Sequence, residues 1–363
     1  MSAPYDVAII GGGPAGAACA TLCAQAGLRT LVLERCAFPR DKVCGDCLNP
    51  GCWPVFEELG VAEAVRASPH MPVAHVAFAG MDGRRTAFPL SGEIAIARRI
   101  LDAILLRRAA EAGAEVRQEA AVRALQRDGA GIWRIETQAG AATASATFTA
   151  RELVAADGRN STVARLLGLA PAARRGRVAL QAHLPTPAGL GGVDIELHLL
   201  PDGYCGTAPV SPGITNFCMV ATANRIDALK AAVAARFGIA AGQEWRAVAP
   251  LERAPIGPLR AGVLFAGDAA RVVEPFTGEG IYYALLTGML AGRHLAAGTV
   301  PRYPGACRAI YRRRLWINRL ARWAVTHPAA GGLLLRALSL HPPWLGYLVG
   351  LVTATASGCS APY

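Results

Sequence analysis

Charged side chains are scarce in this 363-residue chain, at 17 % of the residues, and aromatic ones scarcer, at 6 %. With 53 % hydrophobic residues, this composition excludes long disordered stretches. The ten cysteines lack the regular spacing of a disulfide framework, so reduced thiols are expected. Between Met1 and the apolar run from Tyr5 there is no room for a signal peptide, which favours a cytoplasmic protein.

Acidic residues are outnumbered by basic ones, 26 against 37, which gives a formal net charge of +11. Such a surplus suits an acidic ligand, an anionic membrane surface or a nucleic acid. The sequence carries no nucleic-acid-binding motif, so a nucleic-acid partner is not expected.

The first residues follow the pattern of a βαβ unit. The apolar run Asp6–Ile10 predicts a strand, and the small residues from Ala15 to Ala26 predict a helix packed closely on a sheet, with Gly27 at its end. A second apolar run, Thr30–Leu33, ends at the acidic Glu34.

A glycine-rich turn joins that first strand to its helix in the pattern G-x-G-x-x-G. Gly11 permits the turn, Gly13 lets the backbone approach a diphosphate, and Gly16 lets the helix meet the strand. Glu34 lies where a carboxylate can accept hydrogen bonds from ribose hydroxyls. A small-residue turn is the alternative for the glycines alone, but the strand, the helix and the acidic residue together predict a dinucleotide site, for either FAD or NAD.

Later segments distinguish the two dinucleotides. The buried-strand pattern Val263–Ala266 ends at Gly267 and Asp268, whose carboxylate could bond a ribityl hydroxyl. Ten residues after Asp268, a glycine-rich segment around Gly278 opens the predicted helix Glu279–Leu295, and its backbone N–H groups suit the electron-rich edge of a flavin. Each segment alone could be an ordinary helix cap.

Together these motifs resemble the para-hydroxybenzoate-hydroxylase-like flavoproteins, and within them the geranylgeranyl reductase family most closely. The resemblance rests on Gly11 to Gly16, Glu34-Arg35, Phe38 to Asp46, Arg98 with Asp102, Ala156 to Gly158, Gly267 to Ala270 and Pro275 to Ile281. It implies an α/β fold with a Rossmann-like FAD-binding domain of three-layer ββα architecture, an antiparallel-sheet substrate domain and a helical C-terminal region. The expected boundaries are 1–75, 91–173 and 256–300 for the FAD-binding domain, 76–90 and 174–255 for the substrate domain, and 301–363 for the C-terminal region.

The resemblance also implies the residues that bind FAD. The ADP part would be held by Gly11, Gly13, Pro14, Ala15, Gly16, Glu34 and Arg35, with Val122 near the adenine. Arg98 and Asp268 would meet the ribityl and phosphate part, and Asp157 and Gly158 would mark the second fingerprint. The flavin ring would be lined by Gly278, Gly280 and Ile281, and approached from another side by Cys44 and Gly45.

The substrate side departs from the family at one stretch. Geranylgeranyl reductases tend to carry Tyr-x-Trp-x-Phe-Pro, whereas this chain has Tyr204-Cys205-Gly206-Thr207-Ala208-Pro209. The loss of two large aromatic residues predicts a cavity of different shape. The Trp-x-Trp-x-Ile-Pro stretch of flavin-dependent halogenases is also absent, which argues against halogenation.

Cys44 and Cys47 form a C-x-x-C pair with two interpretations, a redox dithiol or thiols that merely pack beside the flavin. No second C-x-x-C exists to complete a zinc site, so no metal is expected.

The predicted function is that of an FAD-dependent oxidoreductase that reduces or dehydrogenates a carbon–carbon bond of an apolar, isoprenoid or lipid-like substrate by hydride exchange at flavin N5. Tyr204, Cys44 and Cys47 are the candidate catalytic proton donors. An FAD-dependent monooxygenase is the nearest alternative, and a non-catalytic flavin-binding protein is a further one. NAD(P)H or a reduced ferredoxin-like protein would donate the electrons.

The C-terminal part contains a basic segment, Arg308 to Trp323, that interleaves six arginines with apolar residues. It predicts either a helix packed on the protein with solvated arginines or a helix resting on an anionic membrane. The apolar stretch Leu333 to Ala356 is broken at His341 to Pro343, which argues against a membrane span and leaves the lining of an apolar pocket as its alternative role.

Overall fold

The computed structural model describes residues 3–80, 85–138, 144–171, 176–190, 194–312 and 315–327, with residues 330, 333 and 350. Apart from residues 333 and 350, the apolar stretch discussed above lies outside the described residues, as do Arg313, Arg314 and Cys359. Within the described part, no helix is both long and apolar enough to cross a membrane.

The described strands form three sheets. In chain order they are β1 (Tyr5–Ile10), β2 (Thr30–Leu33), β3 (Cys47–Leu48), β4 (Met71–Pro72), β5 (His75–Ala79), β6 (Arg85–Pro89), β7 (Ile94–Ala95), β8 (Glu115–Arg117), β9 (Val122–Arg127), β10 (Trp133–Thr137), β11 (Thr147–Ala155), β12 (Arg177–Pro185), β13 (Asp194–Leu200), β14 (Gly203–Ser211), β15 (Ile214–Thr222), β16 (Arg246–Val248), β17 (Leu259–Arg260) and β18 (Val263–Phe265). The helices are α1 (Pro14–Gln25), α2 (Cys52–Leu59), α3 (Ala62–Ala67), α4 (Arg98–Glu111), α5 (Thr162–Leu166), α6 (Ile226–Phe237), α7 (Gly280–Ala296), α8 (Tyr303–Arg312) and α9 (Leu315–Thr326).

The first sheet has eight strands and a parallel centre. Its order is β17–β18–β11–β1–β2–β8, with β10 paired to β11 and β9 paired to β10. The pairs β18–β11, β11–β1, β1–β2 and β2–β8 are parallel, whereas β17, β10 and β9 join antiparallel.

Both faces of this sheet are buried, each against a different layer. Ala8 and Ile10 of β1 pack with Trp133 of the β9–β10 hairpin. Val7 and Ile9 point the other way and pack with residues of α1, α4 and α7. The β9–β10 hairpin, the parallel strands and the helices form three layers, which confirms the predicted ββα architecture.

The second sheet has seven strands in the order β16–β12–β15–β14–β13–β5–β6. One part of the antiparallel prediction is wrong, because β5 and β13 run parallel, with His75 opposite Asp194. These strands come from distant segments, so no short turn sets their relative direction. One face packs on α6 through Phe217, Met219 and Leu229. The other face, which carries Tyr204 and Val220, turns towards the first sheet.

A third, small sheet consists of β3, β7 and β4 in that order. The second sheet draws strands from residues 75–89 and 177–248, between segments that build the first sheet. The division into domains at the stated boundaries stays a prediction.

Candidate functional site

Four parallel strands end at the same edge of the first sheet. The residues that follow them are Gly11 after β1, Glu34 after β2, Asp157 after β11 and Asp268 after β18. Open parallel sheets bind ligands at the carboxyl ends of their strands. The fold therefore gathers the predicted cofactor residues, scattered along the sequence, at one edge.

The glycine turn packs directly on the end of β11. Gly11 has φ +105°, and a Cβ there would lie 2.5 Å from the carbonyl oxygen of Ala156. A Cβ on Gly16 would lie 1.9 Å from the carbonyl oxygen of Gly11. α1 begins at Pro14 without an acidic residue in its first turn, so the positive end of its dipole stays open to an anion.

Glu34 is 5 % exposed, and its carboxylate fixes the turn. Its oxygens accept hydrogen bonds from the N–H groups of Gly12 at 2.7 Å and Cys36 at 2.9 Å. A carboxylate accepts about four hydrogen bonds, so acceptor capacity remains for a ribose. Arg35 is exposed. Val122 is buried among the residues of the sheet, close to Ala120, whose N–H donates to the carbonyl of Glu34 at 2.8 Å.

A cluster of cations faces the glycine turn. Arg98 donates to both carboxylate oxygens of Asp102 at 2.7 Å, and Arg40 lies 2.9 Å from the same carboxylate. Burial alone would raise the pKa of Asp102, but Arg98 and Arg40 lower it. Burial and the charge of Arg98 lower the pKa of Lys42 to about 8. Three basic side chains thus surround one buried carboxylate, which leaves a positive surplus for an anionic ligand.

Asp157, Gly158, Arg159 and Asp268 follow β11 and β18 at this edge of the sheet. Asp157 accepts a hydrogen bond from the N–H of Val163 at 3.0 Å through Oδ2, while its buried Oδ1 has no hydrogen-bond partner among the described residues. Burial raises the pKa of this carboxyl. Arg159 lies 3.6 Å from Asp268, and its Nη1 has no hydrogen-bond partner in the described part of the chain either.

A cavity of about 360 Å³ lies between this edge and the second sheet. Its lining includes these predicted site residues: Gly13, Pro14, Ala15, Cys44, Gly45, Cys47, Arg98, Gly158, Tyr204, Asp268, Gly278, Gly280 and Ile281. The other predicted residues lie behind or beside the lining, namely Gly11, Gly16, Glu34, Arg35, Val122 and Asp157. The walls away from the sheet edge are mainly apolar, formed by residues such as Phe78, Leu90, Leu197, Leu199 and Phe276.

Cys44 and Cys47 are separate thiols in this cavity. Burial raises the pKa of both, and that of Cys47 well above its ordinary value, with Glu93 adding to the effect. Because the thiolate is the reactive form, this environment favours packing over dithiol chemistry.

Tyr204 presents a neutral phenol to the cavity. It is 4 % exposed, and its ring packs edge-on against Phe276 with centroids 5.2 Å apart. Burial and the negative charge of Glu274 raise its pKa well above the ordinary value. No described group bonds its hydroxyl, which leaves a donor available for a ligand.

Several residues of the site could not be assigned from the sequence motifs alone. Lys42 and Arg159 line the cavity, and Lys42 stands in the Phe38 to Asp46 motif, so its charge was a signal that could have been followed. Glu93 also lines the cavity and carries no sequence signal, since it is a single acid in a loop. Asp46 is fully buried and bonded to His183 at 2.7 Å and Gln181 at 3.1 Å, contacts that join segments far apart in the chain.

The residues present fit FAD. A Cβ on Gly13 would meet nothing nearer than Arg40 Nη2 at 3.7 Å, so backbone and guanidinium leave an open approach for a diphosphate. The surplus of positive charge would attract the negatively charged diphosphate. Oδ1 of Asp157 and Nη1 of Arg159 supply buried polar atoms that need partners.

The comparisons with known proteins agree with this fit. Residues 4–184 match the family model described as FAD binding domain. Over 338 residues the chain is 30 % identical to a menaquinone reductase of Mycolicibacterium smegmatis, covering 84 % of this chain and 80 % of that protein. Over 321 residues it is 31 % identical to a digeranylgeranylglycerophospholipid reductase of Methanoculleus marisnigri, covering 81 % and 77 %.

Among solved structures, a flavin-dependent brominase superposes with a TM-score of 0.75 at 21 % identity, covering 98 % of this chain and 96 % of that one. At this identity the likeness shows the fold alone.

Proposed function

Since this chain belongs to the geranylgeranyl reductase family of FAD-dependent oxidoreductases, we propose that it adds two hydrogens across a carbon–carbon double bond of an apolar, isoprenoid-type substrate. The observation that carries the proposal is a cavity that joins the cofactor edge to an apolar wall on the second sheet. A long apolar substrate fits such a wall, because each buried methylene contributes about 0.8 kcal/mol of binding.

FAD bound at the sheet edge would supply hydride through its ring nitrogen N5. In this proposal α1, Lys42 and Arg98 hold the diphosphate, and the glycines at the start of α7 leave room for the ring. The apolar walls keep water out and hold the substrate against the ring.

The second hydrogen is a proton, and the proposal assigns it to Tyr204. Tyr204 lines the cavity, and no described group forms a hydrogen bond with its buried, neutral hydroxyl. Cys44 and Cys47 are the alternatives, also protonated because burial raises the pKa of each thiol.

The names of the relatives support a lipid-like substrate. One is named for reducing menaquinone and the other for reducing a digeranylgeranylglycerophospholipid, and both compounds carry isoprenoid chains. At the position where geranylgeranyl reductases tend to have Trp, Gly206 lines the cavity here and leaves room beside the substrate.

We also propose that NAD(P)H or a reduced ferredoxin-like protein delivers the electrons, since both are acidic and the chain has a net charge of +11. Anaerobic mixing of the flavin-loaded protein with each donor, followed by loss of oxidised-flavin absorbance, would identify which one serves.

Anaerobic mixing of the dithionite-reduced, flavin-loaded protein with geranylgeraniol or with a menaquinone tests the reaction. We expect reoxidation of the flavin without oxygen and a product whose isoprenoid chain has one carbon–carbon double bond fewer. With the menaquinone, reduction of the quinone ring alone to the quinol would not support the proposed reaction. A product that gains an oxygen atom, formed only when oxygen is admitted, would establish the monooxygenase alternative instead. Flavin that is reoxidised by neither route would contradict both.

A contact with an anionic membrane is part of the proposal. α9 lines the cavity with Ile317 and Leu320, while Trp316 and Trp323 are 49 % and 44 % exposed. Its exposed Arg319 supplies positive charge on the same short helix. A basic helix with exposed tryptophans suits a bilayer interface, and its position would place the cavity beside a source of lipid.

A further inference from the structure

Glu93 lies in the loop between β6 and β7. Its side chain is 8 % exposed and lines the cavity close to Cys47 and Leu90. The atom Oε2 is buried, and no described group forms a hydrogen bond with it. A buried carboxyl is normally hydrogen-bonded or paired with a cation, so this one calls for an explanation.

The surroundings keep this carboxyl neutral. The titratable groups that face it are the thiols of Cys47, on β3, and Cys52, at the start of α2, whose pKa values are both raised well above the ordinary one. Among the described residues no basic side chain offsets the burial, which raises the pKa of Glu93 to about 8. A protonated carboxyl is a hydrogen-bond donor, and in an apolar site it can keep its proton at neutral pH.

We propose that Glu93 donates a hydrogen bond to an oxygen acceptor of the substrate, a carbonyl for instance, and so sets the position of its apolar chain in the cavity. The inference rests on the proposed function and narrows the substrate class to an apolar chain that bears an acceptor oxygen.

The physical reason is that an isoprenoid chain repeats itself. Apolar walls bind each five-carbon unit about equally well, so burial alone lets the chain shift by one unit at little cost in free energy. A single buried polar contact costs free energy whenever it is unmade. One donor at a fixed point of the wall therefore decides which double bond meets the flavin.

Binding to the oxidised, flavin-loaded protein tests the donor directly. The probes are farnesylacetone, an isoprenoid ketone, and the hydrocarbon with the same carbon skeleton, each titrated while the flavin absorbance is followed. At about pH 6 the ketone should bind more tightly by roughly threefold to tenfold, the contribution of one net hydrogen bond. Above about pH 9 the preference should vanish, because the ionised carboxyl has no proton to donate.

Two substitutions and one control separate Glu93 from its neighbours. Glu93→Gln retains an N–H donor and should keep the preference at every pH, whereas Glu93→Leu should bind both probes equally. Tyr204→Phe removes a different unpartnered hydroxyl donor and should leave the pH-dependent preference in place. A preference that survives in Glu93→Leu, a preference independent of pH in the wild-type protein, or binding of neither probe would overturn the proposal.

Double-bond reduction is measured separately, so the two proposals can fail separately. Ketone preference without reduction would leave the role of Glu93 standing and contradict the proposed reaction. Reduction without ketone preference would do the reverse. An infrared difference spectrum between wild type and Glu93→Gln at neutral pH should show the C=O band of a protonated carboxyl, and a carboxylate band in its place would count against the proposal.

Discussion

Gly13 lies at the start of the first helix, next to Arg40 of the cation cluster. Its φ of −74° is open to any residue, and a Cβ there meets only Arg40, at 3.7 Å. The backbone conformation therefore does not require glycine at this position. Glycine is required here by space, because a side chain would occupy the volume in which a diphosphate binds at the start of α1.

We expect Gly13→Asp to fold and to lose its flavin. The new carboxylate would occupy the diphosphate's space, repel its negative charge and pair with Arg40. The flavin-to-protein absorbance ratio after purification measures the loss. Gly129→Asp is the matched control, because a Cβ at that turn meets nothing within 4 Å and the net charge changes equally. Full flavin content in Gly13→Asp would refute the placement of the site.

Glu93 also predicts how stability depends on pH. Its pKa is about 8 in the folded protein against an ordinary 4.5, so the folded state binds more protons between these values and stability falls as pH rises through this range. The full shift corresponds to a cost on the order of 5 kcal/mol above pH 8.

Glu93→Gln should therefore raise the melting temperature relative to wild type by an amount that grows from about pH 5 to pH 8 and then levels off. Thermal denaturation of both proteins across this range is the measurement. Glu111→Gln, at an exposed position, shows the general effect of removing one carboxylate. A melting-temperature difference that stays constant with pH would mean that Glu93 ionises in the folded protein much as it does in the unfolded one.

At the scale of elements, the segment between β2 and β3 ties the cofactor edge to the second sheet. It carries Lys42 and Cys44 into the cavity and ends at Asp46, which bonds to His183 of β12 at 2.7 Å. Asn216 of β15 adds a bond to the carbonyl of Cys44 at 2.9 Å. Burial raises the pKa of Asp46, while the bond from His183 opposes that shift.

Replacing His183 by Ala should lower stability by about 1–3 kcal/mol, because it leaves a buried carboxyl with one partner fewer. Flavin should also dissociate faster, since Lys42 belongs to the same segment. Chemical denaturation and the rate of flavin release into dilute solution check both effects. His75→Ala is the control: His75 also bonds a carboxylate, Asp194 at 3.0 Å, but at an exposed edge where such pairs contribute little. Equal effects of the two substitutions would contradict the special role of the buried pair.

Elements with a strong local pattern were predictable. The strand Thr30–Leu33 has the predicted bounds, and the helix predicted from Glu279 to Leu295 spans Gly280–Ala296. The parallel pairing of β5 with β13 was not, because it joins segments without a connecting turn. The glycine turn and Asp268 could be assigned to a site because each belongs to a local motif. The buried contacts of Asp46 and the environment of Glu93 depend on residues distant in the sequence, so no local pattern reveals them.

At the scale of the whole molecule, the net charge of +11 and the exposed tryptophans of α9 predict attachment to anionic vesicles. Cosedimentation should be strong with vesicles that contain phosphatidylglycerol, weak with phosphatidylcholine alone, and reduced by salt, because screening weakens surface charge interactions. The double variant Trp316→Ser with Trp323→Ser should bind less at equal charge. If cosedimentation depends neither on lipid charge nor on the two tryptophans, the result favours the alternative interpretation of α9. In that interpretation the helix packs against the protein and its arginines are solvated.

The order of strands in the first sheet has a consequence during synthesis. The cofactor edge needs β1, which the ribosome makes first, and β18, which comes only after the whole second sheet has been made. Consider a nascent chain that has been synthesised as far as residue 184, where the match to the FAD binding domain ends. It contains β1, β2 and β11, but the edge of β11 that pairs with β18 is still unpaired. We therefore expect this edge to be open to aggregation until β18 is made, and the cofactor to be captured only after the second sheet is complete.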